Sequence, residues 1–252
     1  MLLMRTLKGI ISILLAAIIF SCCKKNDAGT SSSNTYNAYF PLKIGHVLTY
    51  RLDSTVTTNF EAALVVHSYL LRDSIVGTSL DNNNNTVYTI YRSITDTAGK
   101  QPWQPLSTYA ATPFQNRIEV TEDNNLRYVK LVTPVTSGYS WNGNTYIYIP
   151  PNQMVGNLLY PNNMSNWMYT YRNVNQPYTV NNTYDSSVVV FQNADSVGTY
   201  PTTYYQKSIE NEVYAKNIGM IYKKFYFVIW QPQRGNWNSG SFGIELKLVS
   251  YK

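Results

Sequence analysis

Cysteine and histidine are nearly missing from this chain, which holds two of each. The cysteines are the adjacent Cys22 and Cys23, so no internal disulfide and no cysteine-based metal site can form. The histidines, His46 and His67, stand far apart, in neither a Gly-x-Ser-x-Gly elbow nor a His-Glu-x-x-His helix. Hydrolysis through a nucleophile needs a base held by a third group, and neither residue has the sequence context for one. His67 sits in the apolar stretch Val65-Val66-His67-Ser68-Tyr69 and is expected to be a hydrogen-bonded core histidine. His46 follows Gly45 at a strand entrance and is expected to be exposed. No catalytic, metal or cofactor residue is singled out. Charge is also sparse and scattered: the net charge of +6 includes no basic cluster beyond Lys24-Lys25 and Lys223-Lys224. Nucleic-acid binders show a clustered basic stripe, so no nucleic-acid partner is expected.

Helical hydrophobic periodicity is absent as well, outside the first twenty residues. There, Arg5 and Lys8 precede the apolar run GIISILLAAIIF, Gly9 to Phe20. Such a run suits the core of an export signal and is too short to cross a hydrocarbon layer, which takes roughly 20 residues. Ile19-Phe20-Ser21-Cys22 resembles a lipobox, with an apolar residue at −3, a small one at −1 and cysteine at +1. Residues 1–21 are therefore expected to be cleaved, leaving Cys22 as the lipid-bearing first residue. Acyl chains there would hold the protein at a membrane without a transmembrane helix. Residues 22–37 (through KKNDAGTSSSNTYN) are polar and small, as expected of a flexible tether, with one folded domain over 38–252.

What is abundant is tyrosine, at 23 residues, together with Asn and Thr. Tyr and Thr favour strands, and Asn favours the turns between them. Period-two alternation runs through most of the domain. Leu48, Tyr50, Leu52 and Val56 share one parity. Ala62 to Val76 is apolar on both parities, as for a strand covered on two faces. DNNNN at 81–85 is a turn, and Val87 to Ile94 returns. Residues 118–132 form a hairpin turning at Asp123-Asn124-Asn125. Met168 to Val174 pairs with Tyr184 to Gln192. Tyr205 to Ala215, Met220 to Trp230 and Phe242 to Tyr251 complete the series. Short polar turns without helical crossovers imply antiparallel pairing. The fold class is mainly β, an antiparallel curved sheet or an open barrel or sandwich with long Pro- and Asn-rich loops. The loops are placed at Gly99 to Gln115 and Pro150 to Asn166. A weak internal echo links Pro41-Leu-Lys-Ile-Gly45-His-Val-Leu48 to Pro134-Val-Thr-Ser-Gly138-Tyr-Ser-Trp141. It reflects either two related halves split near Thr133 or, the favoured reading, chance or shared turn chemistry.

Two carboxylate groupings could in principle flank a glycosidic bond. Glu210 and Glu212 fall on one strand face, and Glu119, Glu122 and Asp123 cluster at a hairpin. The simpler reading is a solvated polar face in the first case and a turn in the second. The aromatics make the better case for function. Trp103, Trp141, Trp167 and Trp237 lie in or beside Pro-, Gly- or Asn-rich loops, where rigid amphipathic rings suit contacts with sugar or protein. The competing reading, favoured because fully exposed Trp is uncommon, is that they pin loops onto the sheet.

YFPLKIGHVLTYRLDS after the tether, YAKNIGMIYKKF near the end and the closing GIELKLVSYK resemble uncharacterised lipoproteins of the Bacteroidota phylum. That resemblance implies an exported, β-rich envelope protein and no chemistry. The Cys23-Lys24-Lys25-Asn26-Asp27 stretch resembles the short signals that send such lipoproteins to the cell surface, so surface display is favoured over the periplasmic face of the outer membrane. The expectation is a non-enzymatic binding module for a glycan or envelope protein. A structural or assembly accessory comes second and a secreted hydrolase third.

Overall fold

In a computed structural model, residues 35–122, 125–148, 154–155, 158–161 and 164–252 are described. The export signal, Cys22, most of the tether, and Asp123 and Asn124 of the hairpin turn lie outside the described residues.

The domain is β almost throughout. Its strands are β1 (Val47–Thr57), β2 (Leu64–Leu80), β3 (Thr86–Asp96), β4 (Gln104–Pro113), β5 (Arg117–Thr121), β6 (Arg127–Val132) and β7 (Ser140–Asn142). Then come β8 (Met154–Val155), β9 (Leu158–Leu159), β10 (Met168–Thr179), β11 (Thr183–Val197), β12 (Tyr205–Ala215), β13 (Gly219–Gln231), β14 (Asn236–Trp237) and β15 (Phe242–Tyr251). Twelve of them follow one another edge to edge in the order β6-β5-β4-β3-β2-β1-β15-β13-β12-β11-β10-β7, all antiparallel, and the sheet curls into a nearly closed barrel with one unsealed seam. The mainly antiparallel β class expected from the alternation is present, and of the curved sheet, open barrel or sandwich it takes the barrel form.

The seam lies between β6 and β7, and one backbone hydrogen bond with two aromatic side chains bridges it where a strand ladder would. The Val129 N–H donates to the Gly143 carbonyl at 2.8 Å, and the Trp141 indole N–H donates to the Val129 carbonyl at 2.8 Å. The Tyr171 hydroxyl accepts the Val132 N–H at 2.7 Å and donates to the Val132 carbonyl at 2.8 Å. Backbone groups that an open edge would leave bare are thereby paired.

The two echoing stretches occupy equivalent places. Gly45 and Gly138 both take left-handed backbone, at φ 86° and 84°, which glycine adopts without steric cost. The Gly45 N–H donates to Ile75 and the Ile75 N–H returns to His46; the Gly138 N–H donates to Tyr171 and the Tyr171 N–H returns to Tyr139. A six-strand meander follows each turn, β1 to β6 and then β7, β10, β11, β12, β13 and β15. Turn chemistry is thus shared down to the hydrogen bonds, and it opens two halves of matching strand order. Within that scheme the β1–β15 junction corresponds to the β7–β6 seam. The first is a full ladder of nine partners from Leu48–Tyr251 to Val56–Phe242. The second is not, because β7 has only three residues.

Three expectations need correction. Gly99 to Gln115 is not a long loop, since β4 fills most of it. Its prolines sit where a ladder tolerates them: Pro105 at a register shift opposite Ser93, and Pro113 at the strand's last position. Nor is Ala62 to Val76 covered on both faces, for Val66 and Val76 are exposed on the outside of β2. The packed region also starts before Ala38. Tyr36 is 2% exposed, and its hydroxyl donates to the Phe114 carbonyl at 2.5 Å.

Candidate functional site

Side chains alternate across a strand, so each barrel strand sends one parity into the lumen. Six of those inward rows carry charge among apolar neighbours. Asp73 lies between Leu71 and Ile75, Arg92 between Ile90 and Ile94, and Lys223 between Ile221 and Phe225. Glu122 follows Ile118 and Val120, and Lys130 follows Tyr128. Glu210 and Glu212 precede Tyr214. The polar face of β12 therefore points inward, contrary to the solvated face expected for Glu210 and Glu212; each is 1% exposed.

Register brings these charges together. Asp73 stands directly across from Arg92, and Glu212 across from Lys223. The Arg92 guanidinium donates twice to Asp73, Nε at 2.7 Å and Nη2 at 2.6 Å, while its Nη1 reaches the Tyr109 hydroxyl. Lys130 lies 2.8 Å from Glu212 and 3.3 Å from Glu122; Lys223 lies 3.3 Å from Glu212 and 3.4 Å from Glu122. Two carboxylates and two ammonium groups thus alternate around a square. The second oxygen of Glu212 accepts the Tyr214 hydroxyl at 2.6 Å.

This arrangement separates the acids. Burial alone would raise all three. For Glu122 the ammonium groups of Lys223 and Lys130 and the Arg92 guanidinium outweigh burial and hold the carboxyl down to about 2. Glu212 is likewise held to about 2 by Lys130 and Lys223 and by hydrogen bonds from Lys130 and Tyr214. At Glu210 burial wins, helped by the neighbouring Glu212 and Glu122 charges, and lifts it to about 8. It is therefore a neutral acid at pH 7, and its Oε2 has no hydrogen-bond partner among the described residues. The same is true of both amide atoms of Gln192, on the adjacent strand β11. Lys223 is driven well above the ordinary lysine range: burial lowers it, but Glu122, Glu212 and Glu210 prevail.

Above the square the lumen is hollow. A cavity of about 90 Å³ opens at the barrel end formed by the start of β1 and the β12–β13 turn. That is room for several waters or a small organic group. Phe40 and Pro41 of the segment preceding β1, with His46 and Ile218, form its mouth, and Leu48, Ile75, Ile90 and Met220 form its walls. Asp73, Arg92, Tyr109, Glu122, Lys130, Glu212 and Lys223 form its floor. The mouth segment is fixed by the Asn217 N–H, which donates to the Ala38 carbonyl at 2.7 Å, by the Tyr39 hydroxyl, which donates to Asn175 Oδ1 at 2.7 Å, and by Phe40 packing 6.0 Å from the Tyr214 ring. His46, expected exposed, is half-buried there with Nε2 2.9 Å from the Ile218 carbonyl. His67, expected in the core, is exposed on β2. Toward the far end Tyr160 packs against Phe225 and Phe242, at 5.6 and 5.5 Å.

No protein-family model matches the chain, and no curated protein does. Among solved structures, a DUF1329 family protein from Desulfovibrio piger ATCC 29098 is similar at 8% identity, over 83% of this chain and 86% of that one. Its TM-score of 0.18 is too low for the likeness to carry an argument.

The loop tryptophans are not gathered at this or any other single site. Trp141, Trp167 and Trp237 are buried, at 8%, 5% and 8% exposure. Trp141 bridges the seam. Trp237 stacks on Tyr200 at 5.1 Å, on the outside of the barrel. Trp103 is half-buried, with the Arg72 guanidinium over its ring at 4.3 Å. Three of the four candidates are thus occupied in pinning loops to the sheet, and surface contact through their rings is not available. Glu119, also expected at a solvated turn, is buried on the outer face between Arg117, Arg127 and Tyr146. Two floor carboxylates, Glu122 and Glu212, stand out in the sequence, but their partners Asp73, Arg92, Lys130 and Lys223 do not, although each is a single charge on an otherwise apolar parity.

Proposed function

We propose that this chain is a non-enzymatic binding protein of the cell envelope. In this reading it is exported, tethered through lipid on Cys22 at the outer membrane, and takes a small molecule into the end of its barrel. The supporting observation is the cavity itself, a concave site with apolar walls and a few convergent polar groups, which is the usual composition of a small-molecule site. This replaces the loop tryptophans as the binding element. The carboxylates favour binding over hydrolysis: both Glu122 and Glu212 are engaged by two lysines each, and Glu210 does not line the cavity. The bridged seam likewise leaves little bare edge for the assembly role.

Capture of an environment-sensitive apolar dye tests this reading. The full chain in phospholipid nanodiscs is compared with Met220→Trp, which fills the cavity from its wall. Dye captured by the native protein and not by Met220→Trp supports the cavity. Equal capture by both contradicts it.

A further inference from the structure

We propose that the cavity selects an uncharged amphiphile, whose hydrogen-bond acceptor sits on the Lys223 ammonium and whose apolar chain leads out past Met220 to Phe40 and Pro41. This rests on the cavity being a ligand site, and adds what the ligand is and how it is oriented.

The floor cations differ in how tightly their carboxylates hold them. Arg92 spends Nε and Nη2 on Asp73 and Nη1 on Tyr109. Lys130 has a short bond to Glu212, at 2.8 Å. Lys223 differs. Its contacts with Glu122 and Glu212 are 3.4 and 3.3 Å, longer than the roughly 2.7–2.9 Å of a well-made ammonium–carboxylate hydrogen bond. An ammonium has three protons to give and a guanidinium five, so all three cations on the floor keep some donor capacity. Lys223 is the one held only by long contacts, and its protons are the most readily drawn to an acceptor in the cavity that it lines.

Charge accounting then fixes the head group. The floor holds three acids, Asp73, Glu122 and Glu212, against three bases, Arg92, Lys130 and Lys223. A charged head would unbalance this set in a site shielded from water, where an unpaired charge is costly. An anion would meet Glu122 and Glu212 beside the lysine it sought, and a cation would meet Lys130 and Lys223. A hydroxyl or carbonyl oxygen accepts a hydrogen bond from the loosely held Lys223 ammonium and adds no charge. Leu48, Ile75, Ile90 and Met220 receive the hydrocarbon behind it.

The test is a set of six-carbon chains differing only in the head: 1-hexanol, hexanoate and hexylammonium, at pH 7. Each is titrated into the full chain in phospholipid nanodiscs, with binding read from the methionine methyl resonances against free ligand concentration. The expected result is that 1-hexanol saturates the Met220 shift at a concentration at least tenfold below either ion. Binding of all three without that preference, or preference for hexanoate or hexylammonium, overturns the head-group assignment and leaves the cavity as a site. No response at Met220 to any of the three overturns the cavity reading as well.

Discussion

The Tyr171 hydroxyl holds both backbone groups of Val132, accepting its N–H at 2.7 Å and donating to its carbonyl at 2.8 Å. One side chain therefore does the work of a strand at the one place where the barrel has no ladder. Tyr171→Phe keeps the ring, which packs 4.5 Å from Trp141, and removes both bonds. Leaving a shielded N–H and carbonyl unpaired costs about 1–3 kcal/mol. Urea unfolding should show that loss, and hydrogen exchange should be fastest at β6 and β7. A variant as stable as the native chain would mean that the seam is sealed by something else.

The two left-handed glycines offer a matched pair. A side chain at φ near 85° is strained by roughly 1–2 kcal/mol, and neither Gly45 nor Gly138 has a heavy atom within 4 Å of an added Cβ. Gly45→Ala and Gly138→Ala should therefore destabilise by similar amounts, through backbone strain alone. A large difference in denaturation midpoint between them would argue against equivalent turns.

The strands were legible in the sequence because antiparallel alternation is a local property. Which parity faced inward was not. Gln206, Ser208, Glu210 and Glu212 look like an outer face until Lys223 on β13, Lys130 on β6 and Glu122 just past the end of β5 are placed opposite them. A lone lysine in Ile221-Lys223-Phe225-Phe227-Ile229 signals a polar lumen only once the sheet is known to close. Proline likewise misled at β4, since register shifts that accept a proline are set by the neighbouring strand.

The ionic square should behave as one unit. Glu212→Gln leaves two buried ammonium groups short of a partner, and Lys223→Met strands two carboxylates; breaking a buried pair typically costs about 3–5 kcal/mol. The double variant should lose less than the sum of the two, with a coupling of about 1–3 kcal/mol. Additive losses in denaturant unfolding would contradict the shared network. The pH dependence follows from the lowered acids. Glu122 and Glu212 contribute stability above their unfolded value of 4.5 and lose it as pH falls through about 2. Native stability should thus decline steeply on acidification below 4.5.

Glu210 acts in the opposite direction. Its carboxyl is raised from 4.5 to about 8 on folding, so its stabilising neutral form is fully effective below 4.5 and is lost as pH rises through 8. Glu210→Gln keeps the shape without the ionisation. Relative to this variant, the native chain should lose several kcal/mol between pH 5 and pH 9, since every tenfold change in proton affinity is worth about 1.4 kcal/mol. Parallel stability curves across that range would show that Glu210 does not titrate there.

A ligand held at the barrel end would lie against Met220, and no other described methionine lines the cavity. With methionine methyls labelled in the full chain in nanodiscs, 1-hexanol should shift Met220, which lines the cavity. Met164, fully buried, and Met168, exposed on β10, should stay in place. Saturable movement of Met220 alone is the predicted result. Movement confined to Met168, or no saturable movement at all, would mean that the barrel end holds no ligand.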